Sequence, residues 1–238
     1  MRIRPWIFSV LLLPASLFAD VTGGPGVTVL ATPPPSVQWN QLESNTDIFA
    51  FKEVSNVMLP LPVLVDATTP GTYASESDLT PGFIPAGTVV NSYLVHSDPN
   101  EPLLPDVLVP YLNRLLTFNE QIVGLMFLDT TLQASNLFLA APGTAYPPPQ
   151  VDWGLKLDVD DGPIIWSGSK VTWNSQTGSG ADGGGEDDIR VVTVTAPVPE
   201  PGTLWLPAAA LGLLLLWRWR SEPRCTRKAY LTAVPSRS

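Results

Sequence analysis

Cysteine and histidine occur once each in the 238 residues, as Cys225 and His96, and basic residues are few, 13 Lys and Arg against 22 Asp and Glu. A lone cysteine excludes a disulfide framework, and one cysteine with one histidine cannot assemble a Cys/His zinc site. A pI near 4.5 argues against nucleic-acid binding, where affinity comes from Lys and Arg neutralising phosphates. No Gly-x-Ser-x-Gly elbow supports a serine nucleophile, and Gly183-Gly184-Gly185 is followed by acids that would repel phosphate. His96, which ends an expected strand next to Ser97 and Asp98, reads as placed at a loop rather than as a catalyst. Disorder is excluded as well, because 45% of the chain is hydrophobic and 9% aromatic.

What is present is unevenly distributed. The formal charge of −9 divides into +2 for residues 1–19, −15 for residues 20–197 and +4 for residues 198–238. The first segment runs from Arg2 and Arg4 through an apolar stretch, Pro5 to Leu13, to Pro14 and small residues. That order is a secretory signal peptide with cleavage after Ala19; the alternative is an uncleaved anchor, since Leu17 is not small. At the other end Thr203–Trp217 is uncharged and apolar and meets Arg218 and Arg220 at once. A helix of 15 residues spans roughly 22 Å, a short membrane crossing. The arginines place the C-terminus in the cytoplasm, and Trp205, Trp217 and Trp219 suit the water–lipid boundary.

Immediately before this run stands Pro199-Glu200-Pro201. The order of a Pro-Glu-Pro motif, a short apolar helix and a basic stop, in a chain with a signal peptide, resembles the PEP-CTERM sorting signal of exosortase-processed bacterial proteins. The resemblance makes Pro199, Glu200 and Pro201 the recognition motif, Thr203–Trp217 the transmembrane helix and Arg218 and Arg220 the membrane stop. It implies an exosortase and the secretion machinery as partners, an inner-membrane stage, and a final place in the envelope or outside the cell, near extracellular polysaccharide. The chain departs from the pattern in continuing through a basic tail, Ser221–Ser238, which contains Cys225. Two prolines leave the backbone extended, accessible to a membrane protease above the lipid surface.

In the middle, residues 20–38 are Gly- and Pro-rich and read as a linker, and residues 39–197 as one all-β domain, an antiparallel β-sandwich. Short β-favouring runs punctuated by turn residues are expected as strands at Asp47–Val54, Val63–Asp66, Thr88–His96, Leu115–Asn119, Ile122–Asp129, Val151–Asp158, Pro163–Ser167, Lys170–Asn174 and Asp188–Thr195. In the last run Arg190 faces away from Ile189 and Val191. Only Pro110–Thr117 and Thr130–Ala141 invite a helical turn. Phrases between Ser44 and Thr195, among them SNTDIFAFKE and GTVVNSYLVHSDP, resemble a β-rich ectodomain of uncharacterised PEP-CTERM proteins, which implies a single β-sandwich and no particular activity.

Two constellations could hold a ligand. Asp158, Asp160 and Asp161 stand on an acidic turn whose oxygens suit weak extracellular calcium, though without EF-hand spacing; the plain alternative is a solvated turn. A two-residue turn at Gly168-Ser169 sets Trp166 against Val171 and Ile164 against Trp173, so that Trp166 and Trp173 share one sheet face. Exposed, they form a platform for sugar rings; their neighbours Ile164 and Val171 favour core. The expectation is therefore a non-enzymatic exported envelope protein needing no cofactor. A carbohydrate-binding or calcium-dependent adhesion module is the alternative, and a hydrolase using two of the 20 carboxylates in residues 20–197 a further one.

Overall fold

The computed structural model describes residues 20–100, 108–149, 153–157, 162–178 and 187–194. All of them belong to one compact unit that ends at Ala196. The unit is mostly β, with one α-helix, and its sheets are antiparallel apart from one strand pair. In chain order the strands are β1 (Val21–Gly23), β2 (Val27–Leu30), β3 (Ile48–Met58), β4 (Val63–Val65), β5 (Gly71–Tyr73), β6 (Gly82–Ile84), β7 (Val89–Ser97), β8 (Leu108–Phe118) and β9 (Gln121–Met126). After the helix α1 (Asp129–Leu139) come β10 (Ile164–Ser167), β11 (Lys170–Gly178) and β12 (Asp187–Val194).

One five-stranded sheet has the order β1-β8-β11-β10-β5 and the other β2-β3-β7-β12-β9, with β4 and β6 paired separately. The two large sheets bury a common cluster: Tyr111, Leu116, Phe118, Trp166, Val171 and Trp173 from the first meet Ile48, Ala50, Tyr93, Val95, Ile189 and Val191 from the second. The second sheet is buried on its other face too. There Phe51, Leu94, Met126 and Val192 pack beneath Val63, Val65 and Ile84 of the small sheet, Leu132 and Leu139 of α1, and Trp153. This explains β7, where every residue from Val90 to Ser97 is buried although the sequence alternates. A strand covered on both faces needs no polar side.

The segment expected as a linker is instead sheet. β1 pairs with β8 and β2 runs parallel to β3, so residues 21–30 carry the chain from one sheet to the other. Val21 and Val27 are buried in the shared core, which is what draws a Gly-rich stretch into order. Gly26 makes the corner at a φ of 68°, and a Cβ there would lie 1.3 Å from Arg114 Nη1. Arg114 in turn donates to the Thr46 and Pro25 carbonyls at 2.8 and 3.1 Å. Even the proline run is tied down: Thr144 Oγ1 donates to the Pro34 carbonyl at 2.6 Å and the Ala145 amide to that of Pro35 at 3.0 Å.

Two further expectations are corrected. Residues 110–117 form part of strand β8 and not a helical turn. β1 reaches only Leu116–Phe118, so at Pro110 the strand has a β-partner on one side alone, where a missing N–H is tolerated. The run from Val151 makes only an isolated bridge, Gly154 to Asp188, among its described residues. The helix expected at 130–141 forms as α1, and Asp66 anchors the chain that leads into it. Asp66 Oδ2 accepts from the Phe127 and Leu128 amides at 2.7 and 2.9 Å and from Thr131 Oγ1 at 2.7 Å. Burial pushes the Asp66 carboxyl up, and those three donors oppose the shift. No helix among the described residues is long and apolar enough to cross a membrane.

Candidate functional site

The outer face of the second sheet carries a buried row of ionisable groups beneath α1, Ala141, Tyr146 and Trp153. Strand periodicity of two aligns Asp188 with Arg190 on β12, Ser92 with His96 on β7, and Phe51 with Glu53 on β3. Register then sets the rows side by side, since Asp188 faces His96 and Arg190 faces Leu94 across the β7–β12 pair. Glu53, His96, Asp98, Asp188 and Arg190 are all buried.

Arg190 and Glu53 form the centre of the row. Nε and Nη2 of Arg190 each donate at 2.7 Å to a separate oxygen of Glu53. The other guanidinium hydrogens go to the Leu132 carbonyl at 2.9 Å, to Ser135 Oγ and to Asn136 Oδ1 at 2.8 Å, all on α1. Every N–H of the guanidinium is therefore used. Glu53 is filled as well: Tyr146 Oη donates to Oε1 at 2.7 Å and Ser92 Oγ to Oε2 at 2.6 Å. Burial would pull the Arg190 guanidinium down, but the charge and hydrogen bonds of Glu53, with Tyr146 and Asp188, together outweigh it and hold Arg190 more basic than usual. With no donor or acceptor left over, this pair clamps α1 to the sheet and offers nothing to a ligand.

The far end of the row is less complete. His96 Nδ1 lies 2.8 Å from Asp188 Oδ1, with both side chains fully buried. Asp188 Oδ2 and Asp98 Oδ1 have no hydrogen-bond partner among the described residues. Asp98 Oδ2 accepts from the Asn40 amide at 2.8 Å. Burial drives the Asp188 carboxyl well above the usual range, Glu53 and Asp98 push the same way, and Arg190 opposes them. Burial likewise pushes Asp98 up to about 6 against the pull of His96. His96 stands in the strand expected at Thr88–His96, and its side chain belongs to a buried ion row rather than to the adjoining loop.

Among the sequence-derived candidates, Trp166 and Trp173 are each 3% exposed and belong to the core between the sheets. The turn is as expected, with Trp166 opposite Val171 and Gly168 at a φ of 60°. The face they share is the inner one, so the tryptophans are packing residues and not a sugar platform. Asp158, Asp160 and Asp161 lie outside the described residues, as do Ala19, Pro199, Glu200, Pro201, Arg218 and Arg220. Among the described residues no three His, Cys, Asp or Glu side chains are grouped to hold a metal ion. The row itself escaped sequence reading. Its one signal was charge within runs of β-favouring residues, Lys52 and Glu53 in β3 and Asp187, Asp188 and Arg190 in β12.

Comparison with protein-family models, with curated proteins and with solved structures finds no match to this chain.

Proposed function

We propose that the protein is an exported bacterial envelope protein whose β domain is a single sandwich, carried between a cleaved signal peptide and a C-terminal membrane helix, and sorted by an exosortase. The observation that carries this reading is the order Pro199-Glu200-Pro201, Thr203–Trp217, Arg218 and Arg220, which begins five residues after β12 ends at Val194. The ion row is a structural element of the domain: its central pair is saturated by bonds to α1, Tyr146 and Ser92, and the whole row is buried.

Intact-mass measurement of the protein from its host, with and without the exosortase, tests the reading. A mature chain that starts at Asp20 and ends near Pro201 is the expected result, with the longer C-terminus retained when the exosortase is absent. A chain that still ends at Ser238 in the unmodified host overturns the sorting proposal.

A further inference from the structure

Residues 54–65, 79–95 and 130–151 contain no Asp, Glu, Lys, Arg or His, within a segment of net charge −15. Two of these stretches run antiparallel as a two-stranded arm. Met58 is opposite Val89, the Leu59 amide donates to the Thr88 carbonyl at 2.9 Å, and Val63, Leu64 and Val65 face Ile84, Phe83 and Gly82. The inward side of the arm, with Leu59, Val63, Val65 and Ile84, is core. The outward side is not covered: Met58 is 66% exposed, Phe83 64% and Leu61 58%, and Leu64 and Val89 are exposed too. Beside them a groove between the arm and α1 is lined by Leu64, Phe83, Ala134 and Phe138 among others, none of them charged.

We infer that this arm rests on a lipid bilayer surface, inserting Met58, Leu61, Leu64 and Phe83 among the headgroups. The face is uncharged, so it offers no group to pair with a charged partner, and a domain of net −15 is repelled from a second copy of itself. An uncharged face of Leu, Met and Phe gains by burial in the membrane interface. Position agrees. β12 ends one residue past Thr193, which pairs with Asn91, so the chain leaves the sheet at the end from which the arm springs. Thr203 follows nine residues after Val194, a reach of at most ~30 Å. The inference rests on the proposed membrane helix for its tether, and on the arm for its contact.

The test uses the full chain in phosphatidylcholine vesicles, with Cys225→Ser and a polarity-sensitive fluorophore on Phe83→Cys or, as control, on exposed Lys170→Cys. The probe at position 83 is expected to shift to the blue and to be quenched by brominated acyl chains, while that at 170 stays in water. Flotation of the vesicles reports the tether separately. A chain that floats with a water-exposed probe at 83 overturns the docking alone, and a chain that does not float overturns both tether and docking. A blue-shifted probe at 83 without lipid, with cross-linked dimers, assigns the face to a second copy and overturns the proposal. The pair Leu61→Asp and Phe83→Asp, both at exposed positions, is expected to abolish quenching in a chain labelled at Leu64→Cys while leaving flotation and the folded circular-dichroism spectrum intact.

Discussion

Arg190 and Glu53 meet through two parallel hydrogen bonds of 2.7 Å, both side chains fully enclosed, on strands that are not neighbours in the sheet: β7 lies between them. The pair thus bridges over β7 and reaches up to α1 at the same time. Removing one partner leaves an uncompensated buried charge, at a cost of about 3–5 kcal/mol. Glu53→Ala and Arg190→Met are each expected to lose that much in urea unfolding. The double variant Glu53→Leu with Arg190→Met is expected to recover most of it, since no charge is then stranded. A double variant as unstable as the sum of the singles would contradict the clamp.

Asp98 ties stability to pH. Its carboxyl has an ordinary value of 3.8 and a folded value of about 6, so the folded state holds the proton more tightly. A raised acid contributes stability that is fully present below the unfolded value and is lost as pH rises through the folded one. Asp188, also raised, acts in the same direction. The melting temperature is therefore expected to rise as pH falls from 7 to 5, by a few degrees for the ~1–3 kcal/mol involved. Asp98→Asn is expected to flatten that rise. An Asp98→Asn profile with the same slope as the parent protein would rule out this residue as its source.

Much of the strand pattern was legible because period-two runs and turn residues are local signals. Ile164–Ser167 and Lys170 onward, with the turn between them, follow from Gly168 and the alternation of Ile, Trp and Val. What was illegible was non-local. Glycines and prolines at 22–35 resemble a linker until Val21 and Val27 find partners 97 and 21 residues away, on β8 and β3. Arg190 was correctly placed opposite Ile189 and Val191, but that second face proved to be another core and not solvent. Nothing local announces that Glu53, 137 residues earlier, will neutralise it.

Trp166 and Trp173 separate packing from recognition. Truncating a buried tryptophan costs about 3–5 kcal/mol. Trp166→Ala and Trp173→Ala are each expected to lower stability by that amount in denaturant unfolding. Phe at either position is expected to cost less, because an aromatic volume is retained. Sugar binding lost by a Trp173→Ala protein of unchanged stability would restore the platform reading.

Two strands bulge at an asparagine, and in both cases an asparagine of the neighbouring strand fixes it. Asn56 has a φ of 53° and Asn113 a φ of 54°. The Asn56 amide donates to Asn91 Oδ1 and the Asn113 amide to Asn174 Oδ1, each at 2.6 Å. Asn tolerates this left-handed backbone better than other residues with a Cβ, and Gly tolerates it best. Asn113→Gly is therefore expected to be near neutral, whereas Asn113→Val forces a β-branched side chain into the left-handed region at about 1–2 kcal/mol. Asn174→Ala removes the acceptor and leaves the φ unchanged, for a loss of about 1 kcal/mol. The bulge explanation requires Asn113→Val to exceed Asn174→Ala in unfolding free energy. It also requires Asn174→Ala to leave the Asn113→Gly protein destabilised by the same increment, since the glycine amide still points at the missing oxygen.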